Sequence, residues 1–217
     1  MDLKGLKVNF LGDSITEGAG ASDNSKCYVS LMASKYGVIA RNYGIGGTRI
    51  AIQEKPSEWE IHDRYFGSRV EEMDKDADVI MVFGGTNDFG HGDAPIGEPD
   101  DRTEETFYGA LHCLYIKLIE KYPTSKIIII TPLHRFNEDS LYGDNKPIEY
   151  GTLKRYVDII REVAEYYSLP VLDLYANSGI QPKIPVMQQM YMPDGLHPND
   201  AGYEILADKI AAYLKRI

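Results

Sequence analysis

The sequence predicts a three-layer α/β/α fold with a central parallel sheet of about five strands, of the flavodoxin-like type. The prediction rests on two kinds of segment that alternate along the chain: short, nearly continuous apolar runs, and longer stretches with apolar residues every three or four positions. Runs of the first kind are typical of strands covered on both faces, and stretches of the second kind are typical of one-sided helices. Their alternation implies right-handed crossovers that place helices on both faces of one sheet.

The predicted strands are short runs rich in β-branched residues. They are Lys7 to Leu11, Gly37 to Asn42, Asp78 to Phe83, Lys126 to Thr131 and Pro170 to Leu174. Helical spacing follows in three segments. Their apolar positions are Phe107, Leu111, Leu114 and Leu118; Leu153, Val157, Ile160, Ala164 and Tyr167; and Tyr203, Leu206, Ile210 and Leu214. No linker, repeat or low-complexity tract interrupts the pattern, so we expect residues 1–217 to form one domain.

Long segments rich in Gly, Asp, Asn and Pro follow the predicted strands. They are Asp13 to Lys26, Gly44 to Trp59, Gly84 to Arg102, Pro132 to Tyr150 and Tyr175 to Pro198. Ligands of open α/β sheets bind outside the carboxyl ends of the strands, so a functional site is expected among these segments. Some of them could equally be tolerated surface insertions.

Composition and charge exclude several classes of protein. The chain has 23 Lys and Arg against 33 Asp and Glu, a net charge of −10, which disfavours nucleic-acid and anionic membrane partners. No apolar run approaches the roughly 18 residues of a membrane-spanning helix, and the first residues lack the pattern of an export signal. We therefore expect a cytoplasmic protein, with Cys27 and Cys113 reduced.

The first strand is followed by Gly12-Asp13-Ser14-Ile15-Thr16-Glu17-Gly18. Gly12 permits a sharp turn, and a helix that begins just beyond would direct backbone N–H groups towards an oxyanion. This position suits a serine nucleophile at the edge of a sheet. A serine between an aspartate and a helix is also typical of a helix cap, and the segment alone leaves both interpretations open.

The second and third strands end in glycines and asparagine, within Asn42 to Thr48 and Gly84 to Asp88. A backbone N–H of glycine and the side-chain amide of asparagine are the donors that could complete an oxyanion hole begun by the N–H of the serine. Both residue types are also common at turns, since they tolerate left-handed conformations.

Near the C-terminus stands Met192-Pro193-Asp194-Gly195-Leu196-His197-Pro198-Asn199, before the last predicted helix. In a tight turn, Asp194 could contact one imidazole nitrogen of His197 and leave the other facing outward. A base held in one tautomer in this way is what a serine needs for activation. Alternatively, Asp194 and Asn199 serve only as turn and cap residues.

Together and in this order, the four segments resemble the SGNH, or GDSL-like, hydrolase family, which is named for a Ser, a Gly, an Asn and a His in four separated blocks. The matching blocks are Gly12-Asp13-Ser14, Asn42 to Gly47, Gly85-Thr86-Asn87-Asp88 and Asp194-Gly195-Leu196-His197-Pro198. Ile15 stands where the older family name expects Leu, which alters no catalytic group.

The resemblance implies that Ser14 is the nucleophile, that His197 is the general base and then the general acid, and that Asp194 orients His197. It also implies an oxyanion hole formed by the N–H of Ser14, the N–H of Gly47 and the side-chain amide of Asn87. Gly47 is preferred to Gly44 and Gly46 because the family block runs from an Asn to a Gly five positions on, and Asn42 precedes Gly47 by five.

These expectations describe a serine ester hydrolase that forms an acyl-enzyme and acts on a small-molecule ester. Long polar loops without an evident apolar lid helix favour short, acetyl-like acyl groups on a carbohydrate or small alcohol. Candidate pocket-lining aromatics are Phe89, Phe136, Tyr142 and Tyr191. Two alternatives stay open: an acyltransferase with the same residues, and a noncatalytic flavodoxin-like module that holds a phosphate or flavin at the glycines of residues 44–47.

No cofactor is expected. No metal is expected either, because the remaining histidines lack paired ligand spacing; these are His62, His91, His112 and His134. The oligomeric state is not predicted.

Overall fold

A computed structural model describes residues 2–217. Five strands form one parallel sheet in the order β2-β1-β3-β4-β5. Their bounds are β1 Lys7–Gly12, β2 Ile39–Gly44, β3 Val79–Phe83, β4 Lys126–Ile130 and β5 Val171–Leu172. The flavodoxin-like strand order confirms the predicted fold class.

Helices described within residues 2–217 range from single turns to long helices that cover the sheet. They are α1 Ser14–Glu17, α2 Tyr28–Tyr36, α3 Phe66–Arg69, α4 Thr86–Gly90, α5 Phe107–Lys121, α6 Leu153–Tyr166, α7 Leu174–Asn177, α8 Pro185–Tyr191 and α9 Asp200–Arg216. Short 3₁₀ helices cover Asn24–Lys26, Glu60–Asp63 and Val70–Glu72. In this part of the chain, no helix combines the length and apolar character needed to cross a bilayer.

Two hydrophobic clusters lie on opposite faces of the sheet. Because side chains alternate along a strand, Phe10 of β1 packs into the cluster covered by α2 and α9, whereas Leu11 packs into the cluster covered by α5 and α6. Three of these helices, α5, α6 and α9, were predicted from the spacing of their apolar residues.

The edge strand β2 differs from the prediction. Its residues are half-buried or exposed rather than continuously buried, because β2 pairs with β1 alone. It also begins at Ile39 instead of Gly37, since Gly37 is in the left-handed conformation that ends α2. Similarly, β5 is shorter than predicted because Asp173 caps α7.

The sheet has its topological switch point between β1 and β3. From β1 the chain continues to β2 on one side and then returns to β3 on the other, so the loops after β1 and β3 leave a crevice between them. Ser14 follows β1, and Asn87 follows β3. The topology therefore brings these two predicted site residues to the same edge of the sheet.

Candidate active site

Ser14 is the first residue of α1, directly beyond β1. The carboxylate of Asp13 accepts a hydrogen bond of 3.0 Å from the Ile15 N–H and caps the helix. At Gly12, a Cβ atom would lie 1.9 Å from Thr16 Oγ1 and 2.9 Å from the Phe83 carbonyl oxygen, so only glycine fits. The tight turn that presents Ser14 therefore depends on the absence of a side chain at residue 12.

His197 meets Ser14 from the loop between α8 and α9. Its Nε2 lies 3.0 Å from Ser14 Oγ, and its Nδ1 lies 2.7 Å from Asp194 Oδ2. With Nδ1 protonated and donating to Asp194, Nε2 is free to accept the Ser14 proton. These two contacts give the side chains the mutual geometry of a nucleophile, a base and an orienting carboxylate.

The loop that carries His197 is held by hydrogen bonds between the Asp194 side chain and backbone N–H groups of the same loop. Asp194 Oδ1 accepts hydrogen bonds from the N–H groups of Leu196, at 2.9 Å, and His197, at 2.7 Å. Gly195 has a φ of 76°, which a residue with a side chain would adopt only with strain. At the end of the loop, the side chain of Asn199 caps α9.

The pKa values of two aspartates near Ser14 are shifted in opposite directions. Partial burial acts to raise the pKa of Asp194, but the N–H and ring of His197 together with the Leu196 N–H outweigh it and lower that pKa. Asp194 is therefore a carboxylate at neutral pH. Complete burial raises the pKa of Asp13 to about 6, against the Ile15 N–H and the charge of Arg69.

Gly47 and Asn87 form the opposite side of the site. Gly47 has a φ of 72°, and the side-chain amide of Asn87 donates a hydrogen bond of 3.0 Å to the carbonyl of the next residue, Thr48. A Cβ at Gly46 would lie 3.8 Å from Ser14 Cβ, so this loop passes beside the serine. One hydrogen of the Asn87 amide is used by Thr48, and the second is available to a ligand.

Buried charges hold Asn87 and its neighbours in place. The carboxylate of Asp88 accepts hydrogen bonds of 3.0 Å from the N–H groups of Ile50 and Ala51, which ties α4 to the loop that carries Gly47. Lys146 donates to the Asp88 carbonyl at 2.5 Å, and burial lowers the pKa of this lysine to about 8. Sequence reasoning did not identify these contacts, because they join residues far apart in the chain.

Two further polar side chains border the loop of Gly47. Glu17 Oε2 accepts a hydrogen bond of 3.0 Å from the Gly46 N–H. The ring of His62 covers Gly47, where a Cβ would lie 3.1 Å from His62 Cγ. His62 was set aside in the sequence because it has no partner at ligand spacing; the structure brings it against the predicted oxyanion glycine.

The other three histidines that were considered as metal ligands each interact with a different neighbour. Burial and the neighbouring charge of Arg49 lower the pKa of His91 to about 4, so its ring is neutral near pH 7. His112 contacts the Tyr167 hydroxyl at 2.9 Å, and His134 contacts Glu138 at 2.6 Å. Within residues 2–217, no group of three or more His, Cys, Asp or Glu side chains is placed to hold a metal ion.

Among the candidate aromatics, Phe136 lies next to the base loop. Its N–H donates to the Gly195 carbonyl at 2.8 Å, and 58 % of the residue is exposed. Phe89 is buried in the core and cannot line a pocket. No apolar lid helix is evident from the sequence, but α8, which leads into the loop of His197, exposes Val186 and Met190.

Comparison with known proteins places the chain in a family. The model of the GDSL-like lipase/acylhydrolase family matches residues 10–205, whereas no curated protein matches the chain. One solved structure is 35 % identical with a TM-score of 0.85, and covers 100 % of this chain and 99 % of its own. A protein from Lactobacillus plantarum is 30 % identical with a TM-score of 0.82, and 98 % of each chain is covered.

A two-domain esterase active on acetylated mannans shares the fold, at 22 % identity and a TM-score of 0.62; the match covers 98 % of this chain and 49 % of that one. The matched family region begins within β1 and ends within α9, and it includes all four sequence blocks. The family resemblance of the sequence is thereby confirmed, and the chain belongs to the GDSL-like lipase/acylhydrolase family.

Proposed function

We propose that this protein is a serine ester hydrolase with Ser14 as nucleophile, His197 as general base and acid, and Asp194 as the group that orients His197. The observation that carries the proposal is the continuous contact from Ser14 Oγ through the His197 ring to Asp194, at 3.0 and 2.7 Å. A serine hydroxyl is a weak nucleophile until a positioned base removes its proton, and this contact supplies that base.

In the proposed reaction, His197 Nε2 takes the proton of Ser14 while Ser14 Oγ bonds to the ester carbonyl carbon. The tetrahedral intermediate collapses when the bond to the alcohol oxygen breaks, and His197 returns the proton to that oxygen. Water then attacks the acyl-enzyme, again losing a proton to His197, and the carboxylic acid leaves as Ser14 regains its hydrogen. Asp194 stabilises the imidazolium at both stages without being protonated.

The negative charge on the carbonyl oxygen needs donors that are already in place. We assign this role to the N–H groups of Ser14 and Gly47 and to the Asn87 amide. The N–H of Ser14 is in the first turn of α1, where backbone donors have no partner within the helix. Asn87 is buried, and its bond to Thr48 fixes the direction of the amide. Donors fixed before the reaction stabilise the transition state most effectively.

The surroundings of the loop favour a short acyl group. The Glu17 carboxylate and the His62 ring border Gly46 and Gly47, beside the nucleophile. A long alkyl chain packed there would desolvate these polar groups without replacing their hydrogen bonds. An acetyl group avoids this penalty.

The alcohol part of the substrate is expected on the side of His197, because that ring must protonate the leaving oxygen. Phe136 contacts the loop of His197 and is exposed, so its ring can pack against the face of a sugar ring. The activity of a fold relative on acetylated mannans supports the same substrate class. We therefore propose acetyl-like esters of a carbohydrate or small alcohol as substrates.

A series of p-nitrophenyl esters from acetate to octanoate tests the proposal, with Ser14→Ala as the control. We expect kcat/KM to be highest for the shortest esters, and the alanine variant to be folded and inactive. A serine-directed phosphonate should add one group to the wild type and none to Ser14→Ala. Hydrolysis by Ser14→Ala at the wild-type rate would refute the mechanism, and a maximum at octanoate would refute the acyl preference.

A further inference from the structure

Arg69 is a buried cation directly beneath the proposed site. It is the last residue of α3, is only 2 % exposed, and its guanidinium lies 4.8 Å from the centre of the Phe66 ring. No sequence motif singled it out. Burial lowers the pKa of Arg69 to about 10, so the side chain remains charged at neutral pH.

The guanidinium binds three separate segments. Both Nη atoms donate to the Gly12 carbonyl, at 3.2 and 3.1 Å. Nη1 also donates to the Tyr43 carbonyl at 2.6 Å, and Nη2 donates to Thr48 Oγ1 at 3.0 Å. Gly12 ends β1 two residues before Ser14, Tyr43 lies near the end of β2, and Thr48 follows Gly47.

All of these partners are neutral oxygens. Among residues 2–217, Arg69 forms no ion pair within 4.0 Å, although the charge of the nearby Asp13 favours its protonated form. A charge removed from water without a directly bonded counter-ion is costly, and an apolar side chain would fill the same space at a lower cost. The fork of a guanidinium does what an apolar side chain cannot, because it spans several acceptors in fixed directions.

We propose that Arg69 is a positioning residue that holds the nucleophile segment and the oxyanion loop at a fixed separation. The inference rests on the proposed function, in which Ser14 and Gly47 act in the same reaction. Thr48 connects Arg69 to Asn87, because its hydroxyl accepts a hydrogen bond from Arg69 and its carbonyl accepts one from Asn87. Loss of Arg69 would therefore loosen two donors of the oxyanion hole relative to Ser14.

The test compares Arg69→Met, which removes the charge and the donors, with Arg69→Lys, which keeps the charge but cannot span three acceptors. Arg161→Met is the matched control. Arg161 is a partly buried arginine that pairs with Asp158 on α6 and with Asp173, the residue before α7. Each protein is assayed well below its measured unfolding temperature for kcat and KM on p-nitrophenyl acetate and for the rate of phosphonate labelling.

We expect both Arg69 variants to lose about 100-fold in kcat and in labelling rate, with KM changed by less than about threefold, because small misplacements at a reacting centre act on the transition state. Arg161→Met should lose stability while keeping kcat. A folded Arg69→Met with kcat within about twofold of wild type would overturn the inference. Recovery of kcat by Arg69→Lys would also overturn it, because charge alone would then suffice.

Thr48→Val gives a second test that retains the Arg69 side chain and removes one of its acceptors. It removes the hydroxyl acceptor and leaves the carbonyl for Asn87. We expect a smaller loss of kcat, and we expect Arg69→Met combined with Thr48→Val to be no slower than Arg69→Met alone, since both act through one contact. Full additivity would contradict this route and overturn the proposal. Absence of phosphonate labelling in the wild type would instead refute the proposed function.

Discussion

The two halves of the proposed active site, one for the base and one for the oxyanion, are built in different ways. The base half is local and open: Asp194 and His197 are three residues apart, and 55 % of the Asp194 side chain is exposed. The oxyanion half is buried and assembled over distance, since Asn87 reaches Thr48 across 39 positions and Arg69 reaches Gly12 across 57. A local half can be changed without disturbing the fold, whereas changes in the buried half should affect activity and stability together.

Asp194→Asn should have the largest effect on rate among the variants that test the difference between the two halves. The amide removes the charge that stabilises the imidazolium and no longer selects the tautomer, so kcat should fall by up to about 10⁴-fold with little change in KM. The midpoint of denaturation should change little.

The measurement is kcat and KM of both proteins together with their urea denaturation. An unchanged kcat would mean that Asp194 does not orient His197. A large loss of stability would contradict the distinction between the two halves.

Asn87→Ala tests the buried half and should have the next largest effect. Removal of one oxyanion donor costs about 3 kcal/mol of transition-state stabilisation, so kcat should fall by about 100- to 1000-fold. Stability should fall as well, since the Thr48 carbonyl loses a buried donor.

Asn9→Ala is the matched control, because Asn9 is also buried and its amide donates to the Asp74 carbonyl at 2.8 Å, at the other end of β1. It should lose stability and keep kcat. Equal losses of kcat in the two variants would show that Asn87 acts only through the stability of the fold.

Asp13→Asn should have the smallest effect on rate, and its effect on stability should depend on pH. Since the pKa of Asp13 is raised in the folded state, the unfolded carboxyl group loses its proton first, and the wild type loses stability as the pH rises from about 4 to about 6. Asparagine keeps an oxygen for the Ile15 N–H and does not ionise. The stability of the variant relative to wild type should therefore increase by about 2 kcal/mol from pH 4 to pH 7.

Urea denaturation at pH 4, 5.5 and 7 measures this difference, because titrating groups that do not interact with Asp13 contribute equally to both proteins. A constant difference across the series would show that Asp13 does not carry the raised pKa.

The same contrast explains which features could be predicted from the sequence. Hydrophobic period identified the sheet and its long helices, since each depends on residues close together in the chain. The Asp194 to His197 spacing was visible for the same reason. The contacts of Arg69, Asp88 and His62 were not identified, because their partners are set by the crossing of distant segments. Exposure of β2 was also missed, since strand order and not local composition makes it an edge.

The contact between Ser14 and His197 joins positions 183 residues apart. A ribosome that adds about 5 to 20 residues per second therefore delivers the proposed base roughly 10 to 40 s after the proposed nucleophile. Until then, the nascent chain carries Ser14 without the histidine that it contacts. Under the proposed mechanism, the growing polypeptide therefore cannot activate Ser14 before the sheet and α9 have come together.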